Sequence, residues 1–529
     1  MASSTTKQND TARPAWLLVV IALAMAVSQQ RAFAQSGALA ALEQELVEVI
    51  AQAEKSVVAI AQLSPNAFDK AAPPTPRAPG PRIITNGRQA TRSQLDGLER
   101  LPLNNTPPSG SGVVIDAPGI VLTQYLVVDP SKQHVVIDVD GRRYSATPLA
   151  TDPRSGLATL KIDRQNKVPG GPSWDGATGR SPPALTVGQA ERLKKGRFVV
   201  TLSNPFAIQA DGQPTASLGT ITNTATKAPA GERLNNTIGK DGSYRTTLHH
   251  KGSLIQTDAR LGWSANGGAL VTIDGRLVGI STSLSMIAGH ESPAGYAIPL
   301  NKAMRRVVGD LSAGREPEYG LLGVSFDPVP SRSKKTGRVG IRVQDAYAGG
   351  PAGRAGMRPN DLILSIDGVE TPEPDSLQLV VGGLPAGAET LVKYERNGGD
   401  SQSVVRLGKA FVEGQRVVTN RPPSWRGIRV DYPTAVPGEV LAVKAADGSL
   451  DPEGCVVVSE VDPGSVSAES GVQRHSYISH VGGKRVTTPD EFYSAVKGSD
   501  ASVKITFTQA LRRPGPAAQP PAVLRPLNR

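Results

Sequence analysis

Ile255-Gln-Thr-Asp-Ala-Arg-Leu-Gly-Trp-Ser-Ala-Asn266-Gly-Gly-Ala-Leu270 is followed within a few residues by Asp274-Gly275-Arg-Leu-Val-Gly-Ile280. An Asp-Gly pair between apolar segments signals a β-hairpin. Asp140-Gly141 is a second such pair. From Gly110 to about Leu311 the chain keeps this character, short apolar runs broken by turn residues. Many short strands at this spacing predict a β-sandwich or barrel.

At 529 residues the chain has room for three or four domains. Hydrophobic residues make up 39%, enough for ordinary cores, and 56 Gly with 43 Pro demand many turns and connectors. Aromatics at 4% fit small β-rich modules better than one large core. The formal charge is +11. No Lys/Arg run is interleaved with aromatics, so the charge reads as a diffuse solubilising surface and nucleic acid is not an expected partner. The single Cys455 lies in the apolar run Cys455-Val-Val-Val458 and reads as a buried strand residue; no intramolecular disulfide can form. No metal-ligand spacing, phosphate loop or paired-carboxylate motif appears, so neither metal nor cofactor is expected.

Lys7 and Arg13, the apolar run Trp16–Val27 and Ala32-Phe-Ala34 follow the order of a secretory signal, residues 1–34, cleaved before Gln35. The alternative is an uncleaved anchor, but that run is too short to cross ~30 Å of hydrocarbon comfortably, and no stable span is expected after cleavage. The product is then secreted, and periplasmic in a Gram-negative-type cell. Residues 35–62 read as a helix and a first strand, and 63–108 as a Pro/Arg-rich loop or linker. The barrel region covers 109–312, and 509–529 reads as a disordered Pro-rich tail.

Two later blocks resemble each other. Val343-Gln-Asp-Ala-Tyr-Ala-Gly-Gly-Pro351-Ala-Gly-Arg-Ala-Gly356-Met-Arg-Pro-Asn-Asp361-Leu-Ile-Leu-Ser-Ile-Asp-Gly368 runs through a strand, a short helix ended by Gly, a turn, a strand and a tight turn. Val461-Asp-Pro-Gly-Ser465-Val-Ser-Ala-Glu-Ser-Gly471 onward repeats it, with His475-Ser476 where Gly-Asp is usual. Both resemble PDZ domains, at 316–410 and 424–508. PDZ domains hold an extended peptide as an added strand and cradle its terminal carboxylate with backbone N–H groups. By that resemblance the peptide-binding candidates are Leu321, Leu322, Gly323 and Val324, with packing at a strand start as the plain alternative for the leucines. The second copy offers Trp425-Arg-Gly427-Ile-Arg-Val430 at the equivalent place and departs further from the pattern.

The opening stretch resembles the nucleophile loop of the HtrA family of trypsin-like serine proteases, I-Q-T-D-A-x-I-N-P-G-N-S-G-G-P-L. Asn266 stands in the serine's place. The family's histidine segment resembles Gly110-Ser-Gly-Val-Val-Ile-Asp-Ala-Pro-Gly119-Ile-Val-Leu-Thr-Gln-Tyr-Leu126-Val-Val, where Leu126 holds the histidine's place. Its aspartate segment resembles Asp152-Pro-Arg-Ser-Gly156-Leu-Ala-Thr-Leu-Lys-Ile, where Gly156 holds the carboxylate's. Acyl transfer needs a hydroxyl that attacks, an imidazole that takes its proton and a carboxylate that orients the imidazole. Leu126, Gly156 and Asn266 supply none of these, and the loss of a triad forfeits on the order of 10⁶-fold in rate. Ser264 is the nearest hydroxyl to the loop. His134 reads as lying on the strand after Leu126, and His249 and His250 on a strand approaching from elsewhere.

The resemblance therefore implies a mainly β fold, a chymotrypsin/trypsin-like double β-barrel followed by two PDZ domains, with a degenerate triad. It implies binding of peptide C-termini or unfolded proteins, and a homo- or hetero-trimer with an active HtrA-type protease. The rival expectation is an active serine-type endopeptidase using non-standard residues. A third is an envelope-binding scaffold acting through 63–108.

Overall fold

The computed structural model describes residues 39–63, 84–85, 88–89, 109–163, 182–204, 213–228, 247–261, 265–282, 294–498, 502–508 and 522–524. The segment 1–34 read as a signal, Ser264 and most of the 63–108 region read as a loop lie outside them.

A helix covers 39–53, its half-buried Leu46 and Ile50 against the central core. A 3-10 turn (Glu54–Ser56) leads into β1 (Val57–Leu63). Ile84–Thr85 (β2) and Arg88–Gln89 (β3) pair with each other inside the region read as a loop. Next come β4 (Ser109–Val114), β5 (Ile120–Gln124), β6 (Gln133–Ile137), β7 (Arg143–Asp152) and β8 (Leu157–Asp163). They close a barrel in the order β1-β4-β5-β8-β7-β6. Then follow β9 (Phe198–Ser203), β10 (Thr215–Thr226), β11 (Leu254–Thr257), β12 (Ala269–Thr272), β13 (Leu277–Thr282) and β14 (Gly295–Pro299). These close a second barrel, β10-β11-β14-β13-β12-β9. The Asp140-Gly141 and Asp274-Gly275 pairs sit in the β6–β7 and β12–β13 turns, with Gly141 at φ 74° and Gly275 at φ 73°. Closure leaves neither sheet with a free edge.

Each barrel has its own interior. Val58, Ile60, Val121, Val136 and Leu160 fill the first; Val199, Ile221, Ile255 and Leu270 fill the second. A larger cluster lies between them, where Leu122, Leu157, Leu202, Leu254 and Ile298 meet helix residues Met304, Val307 and Leu311. That helix, Lys302–Ser312, starts at Asn301, whose side chain accepts from the Met304 N–H and caps it.

The next unit comprises β15 (Gly320–Leu321), β16 (Val324–Phe326), β17 (Ser331–Arg332), β18 (Val339–Ala346), β19 (Leu362–Ile366), β20 (Val369–Glu370), β21 (Glu389–Arg396), β22 (Gly399–Arg406) and β23 (Gly408–Lys409). Helices Pro351–Arg354 and Pro374–Gly383 interrupt the strands. Its sheet runs β16-β18-β19-β21-β22, so β16 is an edge, while β15 pairs with β23.

A last unit repeats this order with β24 (Ile428–Asp431), β25 (Val456–Val461), β26 (Tyr477–Val481), β27 (Lys484–Arg485) and β28 (Val503–Phe507), and with helices Val466–Glu469 and Pro489–Val496. The repetition reaches single backbone angles. Gly356 and Gly471 lie at φ 78° and 79°, and Asn360 and His475 at φ 73° and 65°. Helix Gly438–Ala446 is an insertion peculiar to this unit. Cys455 is buried here, as its apolar neighbours require. Residues 522–524, read from sequence as part of a disordered tail, form β29 on the edge of β28. Ala522-Val-Leu is an apolar step at the end of a Pro-rich run, and an open strand edge offers it backbone partners.

Segment 411–424, between the two units, is tied back to the first barrel. Thr151 N–H donates to the Val417 carbonyl (3.0 Å), Val417 N–H to the Thr151 hydroxyl (2.8 Å) and the Thr419 hydroxyl to the Leu149 carbonyl (2.8 Å). Beside it Lys409, buried, places its ammonium 2.8 Å from Asp431 and 3.5 and 3.6 Å from Glu316 and Glu318.

Candidate functional site

The structure brings the elements carrying Leu126, Gly156 and Asn266 together. Leu126 is the middle of a 3-10 turn, Tyr125–Val127, that ends β5. The Tyr125 N–H donates to the Gly156 carbonyl (2.8 Å), which fixes that turn against the end of the β7–β8 connection. Asn266 precedes β12, and its carbonyl accepts from the Ser111 N–H of β4 (2.8 Å). Gly110 shows how closely these pieces converge. A Cβ there would lie 2.6 Å from Val127 Cγ2 and 3.1 Å from the Asn266 carbonyl oxygen.

The glycines after Asn266 are required by space. Gly267 adopts φ +86°, and a Cβ on it would stand 2.1 Å from the Ser111 carbonyl and 2.3 Å from Thr123 Oγ1. A Cβ on Gly268 would stand 2.4 Å from the Leu202 carbonyl. The loop is thus seated where both barrels meet. Gln124 Nε2 donates to Thr282 Oγ1 (2.6 Å), tying β5 to β13 alongside it.

None of the three positions presents a proton acceptor or nucleophile. Leu126 is half-buried and packs against the central core. Gly156 sits at φ +67°. A Cβ there would meet Ile298 at 3.4 Å and the His249 ring at 3.9 Å. His249 therefore neighbours the place from which a carboxylate would project. It lies in a 3-10 turn, Leu248–Lys251, rather than on the strand the sequence suggests. Gly252, at φ 100°, ends that turn before β11 can begin.

His249 has no freedom to act as a base. It is fully buried, with Nε2 2.6 Å from the Ser155 carbonyl and Nδ1 2.8 Å from Ser253 Oγ. A carbonyl only accepts, so Nε2 carries the proton and Nδ1 accepts from the serine. Burial pulls its pKa down to about 4, opposed by the Ser155 carbonyl and reinforced by His250. His134 lies on β6, as expected, fully buried. Its ring nitrogens have no partner among the described residues, and burial lowers its pKa against the pull of Asp129.

Asp152, at the other end of the Gly156 turn, organises it. Its carboxylate accepts from the backbone N–H groups of Ser155 (2.9 Å) and Arg154 (3.3 Å) and from the hydroxyl of Tyr319. Burial pushes the Asp152 carboxyl above its usual range, against these bonds. Tyr319 is fully buried under the Arg154 guanidinium, 5.0 Å from its ring centroid. Sequence reasoning did not single out this contact, because nothing local marks residues far apart in the chain as partners.

Tyr319 opens the second candidate site. Gly320 N–H donates to the Leu384 carbonyl (2.8 Å), and β15 pairs Leu321 with Gly408. Leu322 is buried in the unit's core and its carbonyl accepts from Ala352 (2.9 Å). Leu321 is half-buried against the neighbouring cores. The leucine side chains are therefore packing groups, and what the loop offers is main chain. Gly323 adopts φ +74°, where a Cβ would press on Pro351 Cδ at 2.9 Å. The Tyr347 N–H to Gly323 carbonyl bond makes Val324 and Ala346 a non-hydrogen-bonded pair, so the Val324 N–H faces away from the sheet. Among the described residues no acceptor meets the N–H groups of Leu322, Gly323 or Val324.

Comparison with known proteins agrees with this architecture. Residues 110–280 match the trypsin-like peptidase domain family, and 342–396 match the PDZ domain family. A probable periplasmic serine endoprotease, DegP-like, from Chlamydia pneumoniae is 26% identical over 413 residues, 77% of this chain and 74% of that protein. Proteins of the same description from Chlamydia muridarum and Halomonas elongata are 28% and 26% identical, covering 74% and 72% of this chain and 70% and 72% of theirs. Among solved structures, the HtrA-type protease AlgW with decapeptide is 24% identical, with a TM-score of 0.46, and aligns over 72% of this chain and 99% of its own. Two closed barrels followed by a PDZ-type sheet agree with these matches, and the chain is similar to DegP-like proteins in carrying a trypsin-like peptidase domain with a PDZ domain behind it.

Proposed function

We propose that this protein is a catalytically inactive HtrA-like protein that works by binding. The observation that carries the reading is the chemistry at Leu126, Gly156 and Asn266, none of which can attack, accept a proton or orient an imidazole. The imidazole beside Gly156, that of His249, is buried with both nitrogens engaged. Binding falls to the loop at Leu321, Leu322, Gly323 and Val324, whose outward N–H groups suit a peptide's terminal carboxylate while β16 accepts the peptide as a further strand. Residues 424–508 are a second PDZ domain on this reading, supported by the repeated element order.

The relatives are periplasmic by description, and no helix among the described residues is long and apolar enough to cross a membrane. Secretion through cleavage of residues 1–34 and clients with exposed C-termini or unfolded segments fit that setting. A homo- or hetero-trimer with an active HtrA-type protease would make this chain a regulator of its relative.

Decapeptides with free or amidated C-termini test the binding reading by fluorescence anisotropy and mass spectrometry. Free carboxylates should bind at least tenfold more tightly, and peptides should be recovered uncut. Equal affinity for both forms overturns the carboxylate role. Steady cleavage favours the rival reading suggested by the relatives' names, an endopeptidase with non-standard residues.

A further inference from the structure

We propose that the strand-addition edge of the last unit is closed by its own Trp425 and Tyr493, so that the chain holds one C-terminal peptide, at the first unit. The inference rests on the reading of 321–324 as the peptide site.

The two units can be compared atom by atom. In the first, the bonds from Tyr347 N–H to the Gly323 carbonyl and from Asp327 N–H to the Arg342 carbonyl leave Val324 and Phe326 with N–H groups turned outward. No acceptor meets either among the described residues. In the last unit, the Asp462 N–H bond to the Gly427 carbonyl sets Ile428 in the same outward position. Val458 spends both its backbone groups on His475 and Ser476, which turns Val430 outward as well.

Here, however, both outward groups are taken. Ile428 N–H donates to the Trp425 carbonyl (3.0 Å) and Trp425 N–H returns the bond (2.9 Å), closing a tight turn with Arg426 at φ 49° and Gly427 at φ 90°. Val430 N–H donates to the Tyr493 hydroxyl (3.3 Å), reaching across from helix Pro489–Val496. A ligand strand would need those two donors, one at each alternate residue.

The side chains that close the edge are themselves held. The indole of Trp425 meets Phe492 edge-on at 6.0 Å, and Phe492 meets Tyr493 edge-on at 5.5 Å. Phe492 is fully buried, and the Arg426 guanidinium lies 4.9 Å above the indole. The preceding segment supports the same closure, because Arg429 Nε donates to the Pro422 carbonyl (3.1 Å) and fixes it beside β24. A cavity of about 690 Å³ remains outside Val430 and Tyr493, lined by Pro422, Pro423 and the charged groups around Lys409. The outward donor of β24 that borders it, the Val430 N–H, is the one the Tyr493 hydroxyl takes.

Hydrogen exchange read by mass spectrometry on the chain without residues 1–34 tests the closure directly. Tyr493→Phe removes the acceptor and keeps the ring. Exchange in 428–433 should rise at least fivefold, while 456–461 stays unchanged, which separates an opened edge from an unfolded unit. Unchanged exchange in 428–433 overturns the proposal. Calorimetric titration with a decapeptide ending in a free leucine carboxylate tests the count, an apolar end being chosen because Phe326, Val380 and Leu384 of this unit are apolar side chains only partly buried against its core. One site per chain is expected, and none in Gly323→Val. Two sites, or binding that survives Gly323→Val, overturns the closure. If no decapeptide binds at all, the reading of 321–324 fails, while the exchange result still decides whether Tyr493 closes the second edge.

Discussion

In the barrels, the nucleophile, base and orienting carboxylate that acyl transfer requires are side chains, whereas in the loop at 320–324 the groups that suit a peptide carboxylate are main-chain N–H groups. On the reading proposed here, Leu126, Gly156 and Asn266 empty the first kind of site while the glycines around it keep their close contacts. The second kind tolerates changes of side chain as long as the backbone keeps its course. Gly267 and Gly268 still press against Ser111, Thr123 and Leu202, so the scaffold around Asn266 is held to tight tolerances although Asn266 itself has no catalytic use on the reading proposed here.

That contrast can be broken at several points. The largest effect belongs to the barrel scaffold. Gly267→Ala would force a Cβ to 2.1 Å from the Ser111 carbonyl at φ +86°, and should cost about 3 kcal/mol or more in urea unfolding. A cost below about 1 kcal/mol would show that the loop has slackened along with its chemistry.

Acid should weaken the barrels by a comparable amount. The folded pKa of His249, about 4, lies below its ordinary value of 6.5. The native state therefore binds fewer protons than the unfolded chain, and the contribution is complete above about pH 6.5 and lost as pH falls toward 4, up to about 3 kcal/mol. His134 shifts in the same direction. His249→Gln, which keeps a donor for the Ser155 carbonyl, should flatten the stability–pH profile in that window. An unchanged slope would mean that His249 titrates normally.

The contact between the two sites is worth less. Tyr319→Phe deletes the hydroxyl that donates to the Asp152 carboxylate and leaves that buried group with backbone donors and Ser155. A loss of about 1–2 kcal/mol is expected by denaturant titration. The smallest effect is expected at the loop's side chains. Leu322→Met conserves volume in the core and should cost less than about 1.5 kcal/mol while peptide affinity stays within about twofold. A loss of binding there, without unfolding, would place recognition in the leucine side chain and erase the contrast.

The barrels were legible because their turns and glycines are local signals. Asp140-Gly141, Asp274-Gly275 and Gly267-Gly268 each declare a backbone conformation within two residues. The positions of Leu126, Gly156 and Asn266 were legible through their flanks, and the structure does bring the elements carrying them together. The surroundings that decide what the site can do were not. His249 reaches Ser155 across 94 positions of sequence, and Tyr319 reaches Asp152 across 167. Contacts of that span leave no period and no spacing to read. The leucines of the loop were ambiguous for a different reason, since a strand-start leucine and a pocket-lining leucine look alike until burial is known. Trp425 and Tyr493 illustrate the same limit, because their closure of an edge depends on a helix placed by the whole sheet.

The most direct measurement is active-site labelling of the chain without residues 1–34 by a fluorophosphonate probe, run beside casein digestion. The account predicts neither label nor fragments above background for this protein, and none for Asn266→Ser, since a restored hydroxyl still lacks a base at Leu126. Labelling of the unaltered protein, lost together with casein cleavage in Ser264→Ala, would contradict it.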